Sequence, residues 1–170
     1  VLVGGPPCQG FSICNRASND PKDPRNTLFE EFLRVGKVFD PKIMIMENVP
    51  NLTKAKTSSG ELVVDIIKTE LRELGYSVYS SILEAVDYGV PQIRKRLVVI
   101  ASKADLETPF PEPTHSIADS SGDLFGVNLK RTPNIWEAIS DLPPINAREG
   151  AEEMEYGDSP STKYQKVMRI

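Results

Sequence analysis

At 170 residues the chain has the size of a single domain with a sizeable core, and 39% hydrophobic with 26% charged residues excludes disordered and fibrous classes. A formal net charge of −4 argues against a free-standing nucleic-acid binder, which carries a basic excess, but leaves room for a local basic patch. No apolar run is long enough to span a membrane and no signal peptide precedes the first strand, so a cytoplasmic location is expected. Cys8 and Cys14 do not make a disulfide framework, although they can bridge in an oxidised sample. Asn51-Leu52-Thr53 matches a glycosylation acceptor, a match common by chance.

Residues 1–3 read as the end of a buried strand. Gly4-Gly5 permits a tight turn and close backbone approach, and Pro6-Pro7 stiffens the next residues, so Cys8 stands on a rigid loop at the carboxyl end of a strand. Open α/β sheets bind ligands at that end. Residues 12–26 are polar and read as a mobile loop. Asn26 can cap a helix over 27–39, whose apolar residues recur at helical spacing until Asp40-Pro41 ends it. Ile43-Met44-Ile45-Met46 reads as a buried parallel strand that delivers Glu47 at its carboxyl end. Ser58 and Glu61 form a capping-box pattern for a helix over about 60–74, which Gly75 stops.

Residues 76–85 alternate as a strand, 87–91 are a turn, and 97–101 are a second strand expected to pair with the first as an antiparallel edge. This order predicts an α/β sheet, parallel in its first half. After Lys103 the composition changes: 104–134 carry prolines, glycine and serines without sustained period, a short helix is expected over 134–140, and 145–170 turn from acidic to basic. Two segments are therefore expected, 1–103 and a loop-rich 104–170.

Candidate chemistry collects where strands end or begin: Cys8, Glu47, Arg94 and Arg96. Glu47 follows four apolar residues, a setting that raises a carboxyl pKa and suits it to donating a proton, though a cap or an ion pair with an arginine is the plainer alternative. Taken singly, Cys8 reads as a buried structural thiol and Arg94-Lys95-Arg96 as a solvated basic turn.

Taken together, these segments resemble DNA (cytosine-5) methyltransferases. Gly4-Gly5-Pro6-Pro7-Cys8-Gln9-Gly10-Phe11-Ser12 resembles that family's catalytic loop, and Arg25-Asn26-Thr27-Leu28-Phe29 its next segment. Glu47-Asn48-Val49 resembles its ENV motif, and Gln92, Arg94 and Arg96 its QxRxR motif. Pro113-Thr114-His115, Trp136-Glu137-Ala138-Ile139, Asp141-Leu142-Pro143 and the stretch from Tyr164 to Arg169 resemble the approach to the target-recognition region.

The resemblance implies a Rossmann-like S-adenosyl-L-methionine-dependent methyltransferase sheet and methyl transfer to carbon 5 of cytosine. By that resemblance Cys8 adds to carbon 6 of a flipped base, Glu47 protonates ring N3, Arg96 contacts cytosine and steadies the catalytic loop, and Arg94 lies near the phosphate backbone. Their positive charge would also favour the Cys8 thiolate. Pro7 and Leu28 resemble cofactor-contacting positions, and Ser12, Arg25 and Arg94 are candidate DNA contacts. Double-stranded DNA is the implied partner of a monomeric protein that is nucleoid-associated if bacterial and can belong to a restriction-modification system. No metal site is expected.

The chain opens inside a strand at Val1, and the Gly-rich cofactor motif and acidic ribose residue of such a fold are not in it. It is therefore expected to be a central fragment that methylates poorly alone and leaves a sheet edge exposed. A tRNA cytosine-5 methyltransferase and a non-catalytic DNA-binding or scaffold relative are the alternatives. A zinc deaminase fails because Phe11 stands where its second cysteine belongs and Ile117 where its glutamate does. A cysteine hydrolase using Cys8 and His115 leaves Glu47 and the arginines without a role.

Overall fold

Apolar runs become strands and amphipathic stretches become helices, in the order β1 (Leu2–Gly4), α1 (Leu28–Phe39), β2 (Ile43–Asn48), a 3-10 turn (Pro50–Thr53), α2 (Val63–Glu73), β3 (Ser77–Glu84), a 3-10 turn (Ala85–Tyr88) and β4 (Lys95–Ser102). Short elements come next: β5 (His115–Ser116), β6 (Lys130–Arg131), α3 (Ile135–Ile139) and α4 (Lys163–Met168). This computed structural model describes residues 1–7, 28–57, 59–117 and 129–169. They divide into two units, Val1–Leu83 with Lys95–Glu112, and Glu84–Arg94 with Pro113–Ile170. The expected loop 12–26, its Asn26 cap, Cys14 and Ser58 lie outside the described residues.

The first unit is built on a four-stranded sheet in the order β1-β2-β4-β3. β1 and β2 are parallel, with Leu2 opposite Met44, as expected of the first half of the sheet. β4 neighbours β3, but it also pairs antiparallel with β2 from Ile43–Ser102 to Asn48–Leu97, so it is an interior strand and not an edge. The sequence explains the exchange: Leu97-Val98-Val99-Ile100-Ala101 is apolar on both faces, which suits an interior position, whereas β3 carries Ser77, Ser80 and Ser81.

Period-two alternation sends Met44, Met46, Leu97, Val99 and Ala101 to one face. There they meet Phe29 and Leu33 of α1 and Val63, Ile67 and Leu71 of α2 in one buried core. Ile43, Ile45, Val98 and Ile100 lie on the opposite face, half-buried. The expectation of a buried first strand fails: β1 stands at the sheet edge, and Val1 and Val3 are 81% and 67% exposed. Its Leu2 still packs against the core, and the Phe32 ring of α1 lies against Gly4.

α2 begins at Val63 after Leu62, with no side-chain cap, so the expected capping box is not what starts it. Glu61 is already engaged in a turn: Thr57 N donates to its carbonyl at 2.9 Å, its own N–H reaches Thr57 Oγ1 at 3.3 Å, and Ser59 Oγ donates to its carboxylate at 2.9 Å. At the other end the expected stop holds. Gly75 takes φ 82° and donates to Arg72 O at 2.8 Å, while Tyr76 N reaches Leu71 O at 3.1 Å, a Schellman closure.

The ends of α1, α2 and β4 meet in a polar knot. Lys103 Nζ pairs with Asp40 at 2.8 Å, donates to Leu74 O at 2.7 Å and lies 4.0 Å from the Tyr76 ring centroid; Tyr76 in turn donates to Pro41 O at 2.7 Å. The Lys103 hydrogen bond and charge hold the Asp40 carboxyl below its usual range, and the Asp40 hydrogen bond raises Lys103. Burial raises the Tyr76 phenol.

The second unit is polar and short-ranged. β5 and β6 form a two-residue parallel ladder inside the stretch expected to be loop. α3 starts where expected, with a capping box between Asn134 and Glu137. Arg131 binds Glu137, and this hydrogen bond, ahead of the Asn134 N–H, lowers the Glu137 carboxyl. Apolar spacing does not point to α4, although Thr162 and Gln165 carry its capping box in plain sequence. Buried Gln165 accepts from Ser161 N at 2.8 Å and Thr162 N at 3.1 Å and donates to Ser140 at 2.9 Å. Arg169 Nε binds the buried Asp141 carboxylate at 2.8 Å and stacks 3.5 Å from the Tyr156 ring centroid. Among the described residues no helix is long and apolar enough to cross a membrane.

Candidate active site

The site forms where β1 and β2 end side by side. Because they run parallel, Gly4 opposite Met46 brings Gly5-Pro6-Pro7 alongside Glu47-Asn48. Asn48 points to the core side of β2 and is only 4% exposed. Its Nδ2 donates to Pro6 O at 2.9 Å, and its Oδ1 accepts from Val49 N at 2.8 Å. One buried amide thus ties the start of the loop that leads to Cys8 to the end of β2. A buried amide with both ends satisfied is a firm tie, because leaving either end open costs about 1–3 kcal/mol. The motif alone gives Asn48 no task; a polar residue at the inward-facing position of an apolar strand is the signal that could have found it.

Glu47 takes the opposite face. The β2–β4 register sets Glu47 against Val98, so Arg96, two residues earlier on the same face of β4, is its diagonal neighbour. Arg96 Nε pairs with Glu47 Oε1 at 2.6 Å, with side chains 26% and 48% exposed respectively. Arg96 also donates from Nη1 to Lys95 O at 2.8 Å, so the guanidinium is held from two sides. Glu47 Oε2 faces the turn: a Cβ built on Gly5 would lie 3.2 Å from it, tighter than an ordinary contact. Gly5 therefore leaves the space in which this oxygen sits beside the loop. The desolvated carboxyl expected of Glu47 is not found. The sheet face it stands on is half open, and the arginine ion pair, the plainer alternative, is what forms.

Glu47, Arg96, Asn48 and the Gly5-Pro6-Pro7 segment are thus brought together in the first unit. Arg94 belongs to the second unit, where its carbonyl accepts from Ala85 N at 2.9 Å and its side chain is exposed. Pro7 is exposed beyond β1, and Leu28 is half-buried at the first position of α1. Cys8, Ser12 and Arg25 lie outside the described residues.

Residues 1–167 match the family model described as C-5 cytosine-specific DNA methylase. The chain belongs to this family. It is 44% identical over 170 residues to the type II methyltransferase M.DdeI of Desulfomicrobium norvegicum, an alignment that takes in 99% of the chain and 38% of that protein. It is 33% identical over 186 residues to the DNA (cytosine-5)-methyltransferase PliMCI of Paracentrotus lividus, covering 99% of the chain and 11% of that protein. The fold is that of the Entamoeba histolytica methyltransferase EhMeth, with a TM-score of 0.55 at 21% identity, over 85% of the chain and 39% of that structure. The chain thus spans well under half the length of these relatives. The matched residues take in both the Glu47–Arg96 pair and the Asn48–Pro6 tie.

Proposed function

We propose that this chain carries the catalytic centre of a DNA cytosine-5 methyltransferase, with double-stranded DNA as substrate and S-adenosyl-L-methionine as methyl donor. The observation that carries the reading is the Glu47–Arg96 pair at 2.6 Å, set beside a Pro-Pro turn that buried Asn48 anchors immediately before Cys8. A nucleophile and a proton-donating carboxyl must reach one small ring together, and a held orientation removes much of the entropic part of such a barrier.

In this reading the Cys8 thiolate adds to carbon 6 of a cytosine turned out of the helix, because neither face of a stacked ring is accessible. Glu47 supplies the proton that ring N3 takes up, so negative charge does not accumulate as the C–S bond forms. Arg96 engages Oε1 and leaves Oε2 on the side of the turn, which fixes the direction in which the carboxyl is offered. Bound S-adenosyl-L-methionine supplies an electrophilic methyl group for carbon 5. Loss of the C5 proton to a base then restores the ring and expels Cys8. Pro7 and Leu28 offer carbon surface only, which fits the apolar part of the cofactor and not its ribose or carboxylate. Arg94, Ser12 and Arg25 contact the phosphate backbone.

The test uses the intact protein that carries this chain, duplex DNA with 5-fluorocytosine, and S-adenosyl-L-methionine. Fluorine cannot leave as a proton does, so the thiol adduct is trapped. A mass-spectrometric adduct mapped to Cys8, absent in Cys8→Ser and strongly slowed in Glu47→Gln, is expected. Absence of adduct on DNA of varied sequence overturns the reading, and an adduct on RNA alone redirects it to tRNA.

A further inference from the structure

We infer that His115 is a positioning residue: its imidazole, seated on Gly89, locks the turn that presents Arg94 to the DNA backbone. This rests on the role proposed above for Arg94. The chain has one histidine, and nothing in the proposed chemistry uses it.

The segment from Ala85 to Arg94 is closed on itself. Ala85 N donates to Arg94 O at 2.9 Å, Val90 N to Ala85 O at 3.2 Å, Gly89 N to Val86 O at 3.1 Å and Gln92 N to Val90 O at 2.7 Å. Its outer side is gripped by the small β5–β6 ladder. Thr114 N donates to Asp87 O at 2.9 Å, and Thr132 Oγ1, from a buried side chain, donates to Val86 O at 2.6 Å. The ladder is in turn held to itself by Lys130 N to Thr114 O at 3.1 Å and Thr132 N to Ser116 O at 2.9 Å.

His115 completes the grip at the one point where the turn is free to change. Gly89 adopts φ 86°, a region that glycine enters readily and most other residues do not. A Cβ there would lie 2.8 Å from His115 Cε1, 2.9 Å from Nε2 and 3.0 Å from Nδ1, so the Nδ1–Cε1–Nε2 side of the ring occupies the space a side chain would take. The ring cannot rotate away without cost, because Nδ1 is hydrogen-bonded to Thr114 Oγ1 at 2.8 Å. A flexible glycine is thereby confined by a rigid ring. Five residues further on stands Arg94, whose carbonyl is one end of the Ala85 closure and whose side chain is exposed. A long cationic side chain binds a phosphate well only if its backbone is already fixed, since each side chain immobilised on binding costs affinity.

Salt dependence tests this on the intact protein, because each phosphate contact adds close to one to the slope of log affinity against log salt. Duplex-DNA affinity is measured across salt for wild type, Arg94→Ala, His115→Ala and the double variant, beside the melting temperature of each. His115→Ala is expected to weaken binding on the order of tenfold and to lower the salt slope by about one, as Arg94→Ala does. The double variant is expected to lose no more than Arg94→Ala alone, because two substitutions that act through one contact are not additive. His115→Phe, which keeps a flat ring, is expected to retain most of the slope, and His115→Gln, which loses less packing than alanine, to lower it. A wild-type slope in His115→Gln or His115→Ala, with only a lower melting temperature, overturns the inference, as do additive effects. If Arg94→Ala itself leaves the slope unchanged, the reading of Arg94 has failed, and that outcome is separate from a failure confined to His115.

Discussion

The two units hold their shape by different means. In the first, α1 and α2 are 12 and 11 residues long, enough for an apolar stripe of three turns, and both stripes close on the inward face of β2 and β4. In the second, α3 and α4 have five and six residues; α3 buries none of them, and the buried residue of α4 is Gln165. Helices that short cannot bury a stripe, so amides, capping boxes and the Asp141–Arg169 ion pair take over. Apolar burial is tolerant of which residue fills a place, whereas a satisfied polar network fails when one member goes. Glu47 and Arg96 stand on the sheet of the apolar-cored unit, whereas Arg94 belongs to the polar unit.

The largest expected effect that sharpens this contrast comes from the apolar unit. Ile67 is fully buried, and Ile67→Ala is expected to destabilise by about 2–5 kcal/mol. Amide exchange should accelerate across α1, α2, β2 and β4 while the α3–α4 amides keep their rates. Uniform acceleration along the whole chain would erase the distinction between the units.

A smaller effect is expected from Gln165→Ala, which leaves the Ser161 and Thr162 amides and the Ser140 hydroxyl without their partner, at about 1–3 kcal/mol. Exchange should rise in 134–142 and 161–169 and stay unchanged in the sheet. Gln165→Leu, of similar volume, should not rescue it; rescue would mean that packing and not hydrogen bonding holds the pair of helices.

The smallest effect is expected from acid. The folded-state carboxyls of Asp40 and Glu137 are depressed, so each contributes stability that is present above the ordinary carboxylate pKa of about 4 and is lost as pH falls through the lower folded value. Thermal unfolding followed from neutral to strongly acidic pH should show stability declining over that window. Asp40→Asn should flatten the part of the decline monitored in the sheet, and Glu137→Gln the part monitored at α3. Both carboxylates are solvent-accessible, so high salt should shrink either contribution. A pH response of Asp40→Asn identical to wild type would remove the Asp40–Lys103 pair from the account.

Much of the first unit is legible in the sequence because its signals are local and repeated. Helical spacing over 27–39 and the run Ile43-Met44-Ile45-Met46 name a helix and a strand before any fold is considered. The second unit is legible at the 87–91 turn and at Asn134, where a capping residue marks a helix start; α4 carries the same signal at Thr162 but too few apolar positions to draw notice. The place of Glu47 at the end of β2 is visible, while its surroundings are not, since an apolar stretch of sequence does not say which face of a strand will be covered.

What the sequence determined by itself is the family, through ordered motifs from the Pro-Pro-Cys segment to the arginine turn, and the alternation of strand and helix, because both are written in neighbouring residues. The tertiary structure decided what depends on register. Pairing β4 against β2 sets Arg96 diagonal to Glu47, and parallel β1 sets Pro6 beside Asn48. Those partners stand 49 and 42 positions apart in the chain. No periodicity in either segment specifies such a match; it comes from which strands share hydrogen bonds and which face of the sheet the helices cover.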